Sequence, residues 1–228
     1  MQLITVAGPP SSGKTAVIIN VIAALHRKGR KVGVIKMDCL QAQDQEEYKK
    51  RSIPVQVGLS GNLCPDHFFV SNIQACVDWG IEQKLDMLIS ESAGLCNRCS
   101  PHIKGITALC VIDNLMGVNT PKKIGPMLKL ADYVIVTKGD VVSQAEREIF
   151  AFRIRQANPK AIIMFVNGIT GQGAPELASL LQKAEPISSL DQRRLRFSMP
   201  AALCSYCLGE TRIGKDYQMG NNRLMKFE

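Results

Sequence analysis

Gly8-Pro9-Pro10-Ser11-Ser12-Gly13-Lys14-Thr15 separates two glycines by four residues and follows the second with Lys and Thr. That is the spacing of a loop that cradles phosphates. The glycines let the backbone curl so that its N–H groups face an anion. Lys14 is expected to reach the β- and γ-phosphates, and the Thr15 hydroxyl to ligate Mg²⁺. The loop opens a helix, whose N-terminal dipole favours negative charge. The predicted contacts run over Gly8, Pro9, Ser11, Ser12, Gly13, Lys14, Thr15 and Ala16.

On either side of this loop the mechanism finds the context it needs. Leu3–Ala7 is an apolar, strand-like run, and Lys14–Arg27 reads as an apolar helix closed by Gly29. Further along, short β-branched runs alternate with helical stretches. Strands are predicted at Lys31–Lys36, Val55–Val57, Leu85–Ser90, Ala108–Ile112, Tyr133–Thr137 and Ala161–Val166. Helices are predicted at Asp44–Arg51, Phe68–Gln83, Lys122–Lys129, Ser143–Ala157 and Pro175–Ala184. Strands apolar throughout are covered on both faces. The expectation is an α/β, three-layer P-loop NTPase with a mostly parallel sheet flanked by helices. Residues 1–184 form that domain, and 185–228 a short C-terminal extension carrying a cysteine pair.

Composition fits this. The chain has 228 residues, 46% hydrophobic and 21% charged, as in a globular domain with a full core. No run approaches the ~20 apolar residues of a membrane span. No basic-then-apolar leader precedes Leu3, so a cytoplasmic location is expected. The net charge of +8 gathers in short clusters such as Lys49-Lys50-Arg51. A solvated surface or an anionic nucleotide accounts for them, and the 5% aromatic content offers little platform for nucleic acid.

Thr137-Lys138-Gly139-Asp140 ends a predicted strand and has the form of a guanine reader. There the aspartate accepts from guanine N1–H and N2–H₂, which adenine cannot match, while the lysine stem covers the base. Asn167-Gly168 ends the next strand, where a loop beside the base belongs. GTP is therefore expected over ATP. Asp38 and Glu91 end two further strands near the γ-phosphate, with Mg²⁺-shell or water-orienting roles. Lys14, Asp38 and Glu91 are the candidate catalytic residues, and Thr15 and Asp38 the Mg²⁺ ligands.

The chain has eight cysteines, which in a reducing compartment argue for metal or redox chemistry over disulfides. Cys96-Asn97-Arg98-Cys99 follows Glu91 closely, and Cys204-Ser205-Tyr206-Cys207 lies in the extension. Each Cys-x-x-Cys can present two thiolates to one metal, and two pairs supply four soft ligands for zinc or an iron–sulfur cluster. Histidines at matching offsets, Cys64 with His67 and Cys99 with His102, allow a mixed site suited to nickel or zinc. Cys39, Cys76 and Cys110 read as packing residues.

Taken together, the phosphate loop, Lys36-Met37-Asp38 with the acidic stretch Gln43–Glu47, Cys64-Pro65-Asp66-His67, Glu91-Ser92-Ala93-Gly94 and Thr137-Lys138-Gly139-Asp140 resemble the metallochaperone GTPases of the urease accessory and hydrogenase nickel-incorporation families. The resemblance spans about residues 1–184. It implies slow GTP hydrolysis, a homodimer, and delivery of nickel or zinc to a client metalloenzyme or accessory protein. In the urease relative, a Cys-Pro-His segment binds metal between two subunits, whereas here Asp66 intervenes before the histidine. The leading rival is a nucleotide-driven iron–sulfur electron-transfer or cluster-delivery protein, and a further one is a small-molecule kinase.

Overall fold

The computed structural model describes residues 1–42, 44–197, 209–217 and 223–227. Seven strands form one sheet in the order β3-β2-β4-β1-β5-β6-β7. They are β1 Gln2–Ala7, β2 Val32–Asp38, β3 Val55–Leu59, β4 Met87–Glu91, β5 Thr107–Asp113, β6 Tyr133–Thr137 and β7 Ile162–Phe165. Every pairing is parallel. Their carboxyl ends therefore share one edge of the sheet, where open α/β folds bind ligands.

Among the described residues the α-helices are α1 Lys14–His26, α2 Gln45–Lys49, α3 Pro65–Glu82, α4 Thr120–Lys123, α5 Pro126–Lys129, α6 Gln144–Ala157 and α7 Ala174–Leu181, the last following β7. Alternation along β1 sorts the layers. Ile4 and Val6 face α1 and α7, whereas Leu3 faces α3 and Ala7 faces the α5–α6 side. α6 starts with a full capping box, Ser143 and Glu146 each bonding the other's backbone N–H.

Two predicted helices differ from those observed. The stretch 122–129 is broken into α4 and α5, because Gly125 (φ 65°) passes so close to the Asn97 carbonyl that a side chain there would collide with it. α3 begins three residues before the predicted Phe68, with Cys64 as an extended N-cap and Pro65 in the first turn. The Cys64–His67 segment thus forms a helix start and not a loop.

Chain beyond α7 returns to the α3 face. Ile187 N–H donates to Met1 O at 2.7 Å, and Ile187, Leu190, Leu195 and Ile213 are buried with α3. The Arg196 guanidinium binds both Asp132 oxygens at 2.7 and 2.8 Å. Met225 packs beside Cys76, while Asn72 bonds Arg223 O and Met225 N–H at 2.9 and 2.7 Å. Among the described residues, no helix is long and apolar enough to cross a membrane.

Candidate functional site

The phosphate loop joins β1 to α1. Gly13 (φ 88°) stands at the N-cap with no side-chain cap bond, so the first-turn N–H groups of α1 are available to an anion. Lys14 is buried and its ammonium donates to Gly8 O at 3.0 Å and Pro9 O at 2.9 Å. Burial pulls its pKa down, against the raising charge of Glu91. The buried Ser12 hydroxyl has no hydrogen-bond partner, which fits a loop shaped for a phosphate group.

Beside the loop lies a compact charged cluster. The Thr15 hydroxyl is 2.8 Å from Glu91 Oε1 and 3.0 Å from Asp44 Oδ2. Its single proton can serve only one of them at a time. The Lys36 ammonium donates to the same two oxygens at 2.6 and 3.0 Å, and the Tyr48 hydroxyl donates to Glu91 Oε2 at 2.8 Å. Burial alone would lower the Lys36 pKa, yet the charges of Glu91 and Asp44 more than offset it and hold it above its ordinary value. Burial would likewise raise the Asp44 carboxyl, and its bond to Lys36 instead brings it below the usual range. One hydroxyl and two carboxylates make a hard oxygen donor set that fits Mg²⁺.

Glu91, at the end of β4, lies against Thr15. Asp38, at the end of β2, has its Oδ1 accept the Cys39 N–H at 2.8 Å, and it is Asp44 that reaches the Thr15 hydroxyl. Sequence reading missed Asp44, Lys36 and Tyr48 as site residues. An acidic residue at the start of α2, and a lone lysine inside the apolar strand β2, were the available signals.

At the other end, Thr137 donates to Ser12 O at 2.7 Å and Lys138 to Ser11 O at 3.0 Å and Asp113 Oδ2 at 2.9 Å. The end of β6 is therefore clipped onto the phosphate loop. Asp140 lies in the 3-10 turn that follows and lines, with Gly139, Arg147, Phe165 and Asn167, a cavity of about 280 Å³. Asn167 Oδ1 accepts the N–H groups of Ile169 and Thr170 at 2.8 and 3.0 Å, shaping the loop beside that cavity. Ala16 packs near Gly168 and lines a second cavity of about 650 Å³ with Asn20 and Asp44.

Past Glu91 the chain passes directly under the phosphate loop. Gly94 (φ 73°) sits where any β-carbon would strike the Gly8 carbonyl oxygen. Two residues later comes Cys96, its Sγ 3.9 Å from Cys99 Sγ. With Asp66 these thiols form a group whose ligand atoms all lie within 4.8 Å of one another. Burial pushes the Asp66 carboxyl up to about 7. Burial, with the charges of Asp66, Cys96 and Cys64, raises the Cys99 thiol.

The histidines do not join this group. His67 is buried, and successive residues of a helix diverge by about 100°, so Asp66 and not its neighbour meets the thiols. His102 is spent elsewhere, with Nδ1 3.0 Å from Thr5 Oγ1 and Nε2 3.0 Å from Met127 O. Burial lowers its pKa to about 4. Cys76 and Cys110 are buried packing residues and Cys39 is half-buried. Cys204 and Cys207 lie outside the described residues.

Comparison with known proteins agrees with this architecture. The model of the CobW/HypB/UreG nucleotide-binding domain matches residues 2–165. An uncharacterized protein of Methanocaldococcus jannaschii is 47% identical over 220 residues, covering 96% of this chain and 94% of that one. The urease accessory protein UreG 2 of a Bradyrhizobium strain is 27% identical over 198 residues, covering 78% and 88%. In structure, HypB from Helicobacter pylori in complex with nickel superposes with a TM-score of 0.64 at 19% identity, over 83% of this chain and 91% of that one. HypB from Archaeoglobus fulgidus gives 0.63 at 20%, over 80% and 89%. With the phosphate loop, the parallel sheet and a family model reaching from β1 to β7, this chain belongs to the CobW/HypB/UreG family of nucleotide-binding domains.

Proposed function

We propose that this protein is a GTP-hydrolysing metallochaperone whose nucleotide state controls the loading and release of a transition-metal ion for a client metalloenzyme. One observation carries the reading. A single segment supplies Glu91 to the Thr15 cluster, presses Gly94 onto the phosphate loop, and ends in Cys96 and Cys99. Movement of the loop around a γ-phosphate is thereby transmitted to two thiols over a few residues. The relatives named UreG, and a HypB neighbour in complex with nickel, support a metal of the nickel class.

In this mechanism Lys14 exchanges the carbonyls of Gly8 and Pro9 for phosphate oxygens. Asp140 reads the guanine edge, with the Lys138 stem and the Asn167 loop enclosing the base. Mg²⁺, held through Thr15 and the neighbouring carboxylates, would neutralise charge developing on the phosphates. Glu91 and Asp38 end β4 and β2 on the same sheet edge; in this reading Glu91 orients the attacking water, while Asp38, whose Oδ1 accepts the Cys39 N–H, shapes the loop that carries Asp44. Hydrolysis then relaxes the segment from Glu91 to Cys99 and frees the metal. Slow intrinsic turnover suits such a switch. A homodimer and a reducing cytoplasm that keeps the thiols free complete the reading.

The test is base choice. Asp140→Asn should shift preference from GTP towards xanthosine triphosphate by at least about tenfold, because Asn presents an N–H donor where the guanine 2-amino group needs an acceptor and xanthine offers a 2-oxo oxygen. Competition binding with the two nucleotides reads this out. A variant that still prefers GTP would remove Asp140, and with it the guanine reading.

A further inference from the structure

Helix α6 is apolar on two sides. Phe150 and Ile154 are buried against the sheet. Helical residues advance by about 100° each, so Ile149, Phe152 and Gln156, spaced i, i+3 and i+7, share the opposite side. There Ile149 is 49% and Phe152 54% exposed. One exposed apolar residue is ordinary. Two large ones on adjoining turns, farthest from their own core, leave a helix face without a partner.

Beside this stripe the 3-10 turn Asn114–Met116 and α4 pack on α6, and Leu115 and Val118 are exposed on that wall. Between the walls lies a cavity of about 490 Å³ whose lining includes Val118, Asn119, Lys122, Lys129, Arg153 and Gln156. Its charge is of one sign. Arg153 donates to Gln156 Oε1 at 3.0 Å, and among the described residues neither it nor either lysine makes an ion pair. The cavities beside Thr15 and Asp140 do carry carboxylates, Asp44 and Glu47 in one, Asp140 and Glu176 in the other. Of the acids on α6, Glu146 is spent in the capping box, and Glu148 lies about 140° round the helix from Arg153.

An apolar ridge along a cationic groove selects its occupant. A second copy docking about a two-fold axis would set this face against itself, cation against cation. A small anion would satisfy the lysines and leave Ile149 and Phe152 in water. We infer that the groove between α4 and α6 is a docking site for an acidic amphipathic helix of another protein. The apolar side of that helix covers Ile149 and Phe152, and its carboxylates lie over Lys122, Lys129 and Arg153. The groove shares no lining residue with the cavities beside Thr15 and Asp140, and the inference does not rest on the function proposed above.

The experiment is a fluorescence-anisotropy titration of the full chain in saturating Mg²⁺–GDP, which keeps added anions off the phosphate loop. The probe is a fluorescein-labelled peptide of about 18 residues, enough to hold a helix in water, with leucine at every third or fourth position and glutamate between. The expected result is saturable binding of one peptide per chain, weakening at least about tenfold from about 50 to about 500 mM KCl. A peptide with glutamine for every glutamate should bind at least about tenfold more weakly. The double variant Lys122→Glu/Lys129→Glu and the single variant Phe152→Ser should each cost at least about fivefold in peptide affinity, with circular dichroism and GDP affinity unchanged. Equal binding of the glutamine peptide would overturn the site, as would no binding of the glutamate peptide. Displacement by tripolyphosphate, with Phe152→Ser without effect, would make the groove a small-anion site. A concentration-dependent dimer in sedimentation, dissolved by Phe152→Ser, would make its occupant a second copy. Either of these results overturns the inference too.

Discussion

At Lys36 a cation lies 4% exposed between Glu91, itself fully buried, and Asp44. Removing one member of a buried ion pair strands the other, at about 3–5 kcal/mol. Lys36→Met should therefore lower the melting temperature by about 10 °C, given roughly 2–4 °C per kcal/mol for a chain of this size. Mg²⁺ with GTP should restore part of that loss, since a divalent ion can settle between the same two carboxylates. Differential scanning calorimetry with and without Mg²⁺–GTP makes the comparison. An unchanged melting temperature would mean that the Lys36 ammonium contributes nothing to holding this cluster together. The two roles of this lysine could not be read from the chain, because its partners lie eight and fifty-five residues away and meet it only through the sheet.

Among the elements, the segment from β4 to Cys99 is the one most constrained by a neighbour. Gly94→Ala places a methyl group against the Gly8 carbonyl and imposes a positive φ on alanine. The phosphate loop must then shift, and GTP affinity should fall at least about tenfold, the equivalent of 1.4 kcal/mol. Titration with a fluorescent GTP analogue measures it, and unaltered affinity would show that the two loops move independently. Legibility at this scale follows physical range. The five inner strands were visible because each buries both faces and so consists largely of an apolar run, whereas the edge strands β3 and β7, less buried, showed only as short β-branched runs. The phosphate loop and the Thr137–Asp140 turn were visible because short-range spacing dictates their chemistry. The break at Gly125 was not, since its cause is the Asn97 carbonyl from a distant loop. Asp66 looked like an interruption of a motif, and only the true start of α3 turns it towards Cys96 and Cys99. Asp38 read as a magnesium ligand from its strand-end position; in the fold its Oδ1 accepts the Cys39 N–H, and Asp44 is the carboxylate beside Thr15.

Over the whole molecule, two buried groups set opposite responses to acid. His102 has its pKa lowered to about 4 by burial, so between pH 6.5 and 4 the unfolded chain takes up a proton that the native one refuses. Stability is lost as pH falls through that window, by roughly 3 kcal/mol. Asp66, raised to about 7 by burial, works the other way. The native carboxyl stays protonated while the unfolded one ionises, so its cost shrinks as pH drops from about 7 towards 4. Urea unfolding at pH 7, 5.5 and 4.5 separates them. His102→Gln should gain stability on acidification relative to wild type, and Asp66→Asn should lose it. Parallel pH profiles for all three proteins would show that neither group is perturbed as described.

The packing of residues 187–227 against α3 has a consequence for synthesis. Chain leaves the ribosome amino end first, and α1 with β1 and β4 can begin to close one face of the sheet early. The opposite face keeps Phe68, Ile73 and Val77 short of partners until Ile187, Leu195, Ile213 and Met225 have emerged. At ordinary elongation rates that interval, from Glu82 to Met225, is on the order of ten seconds. The nascent chain therefore carries an apolar flank over α3 that stays open until its last residues arrive.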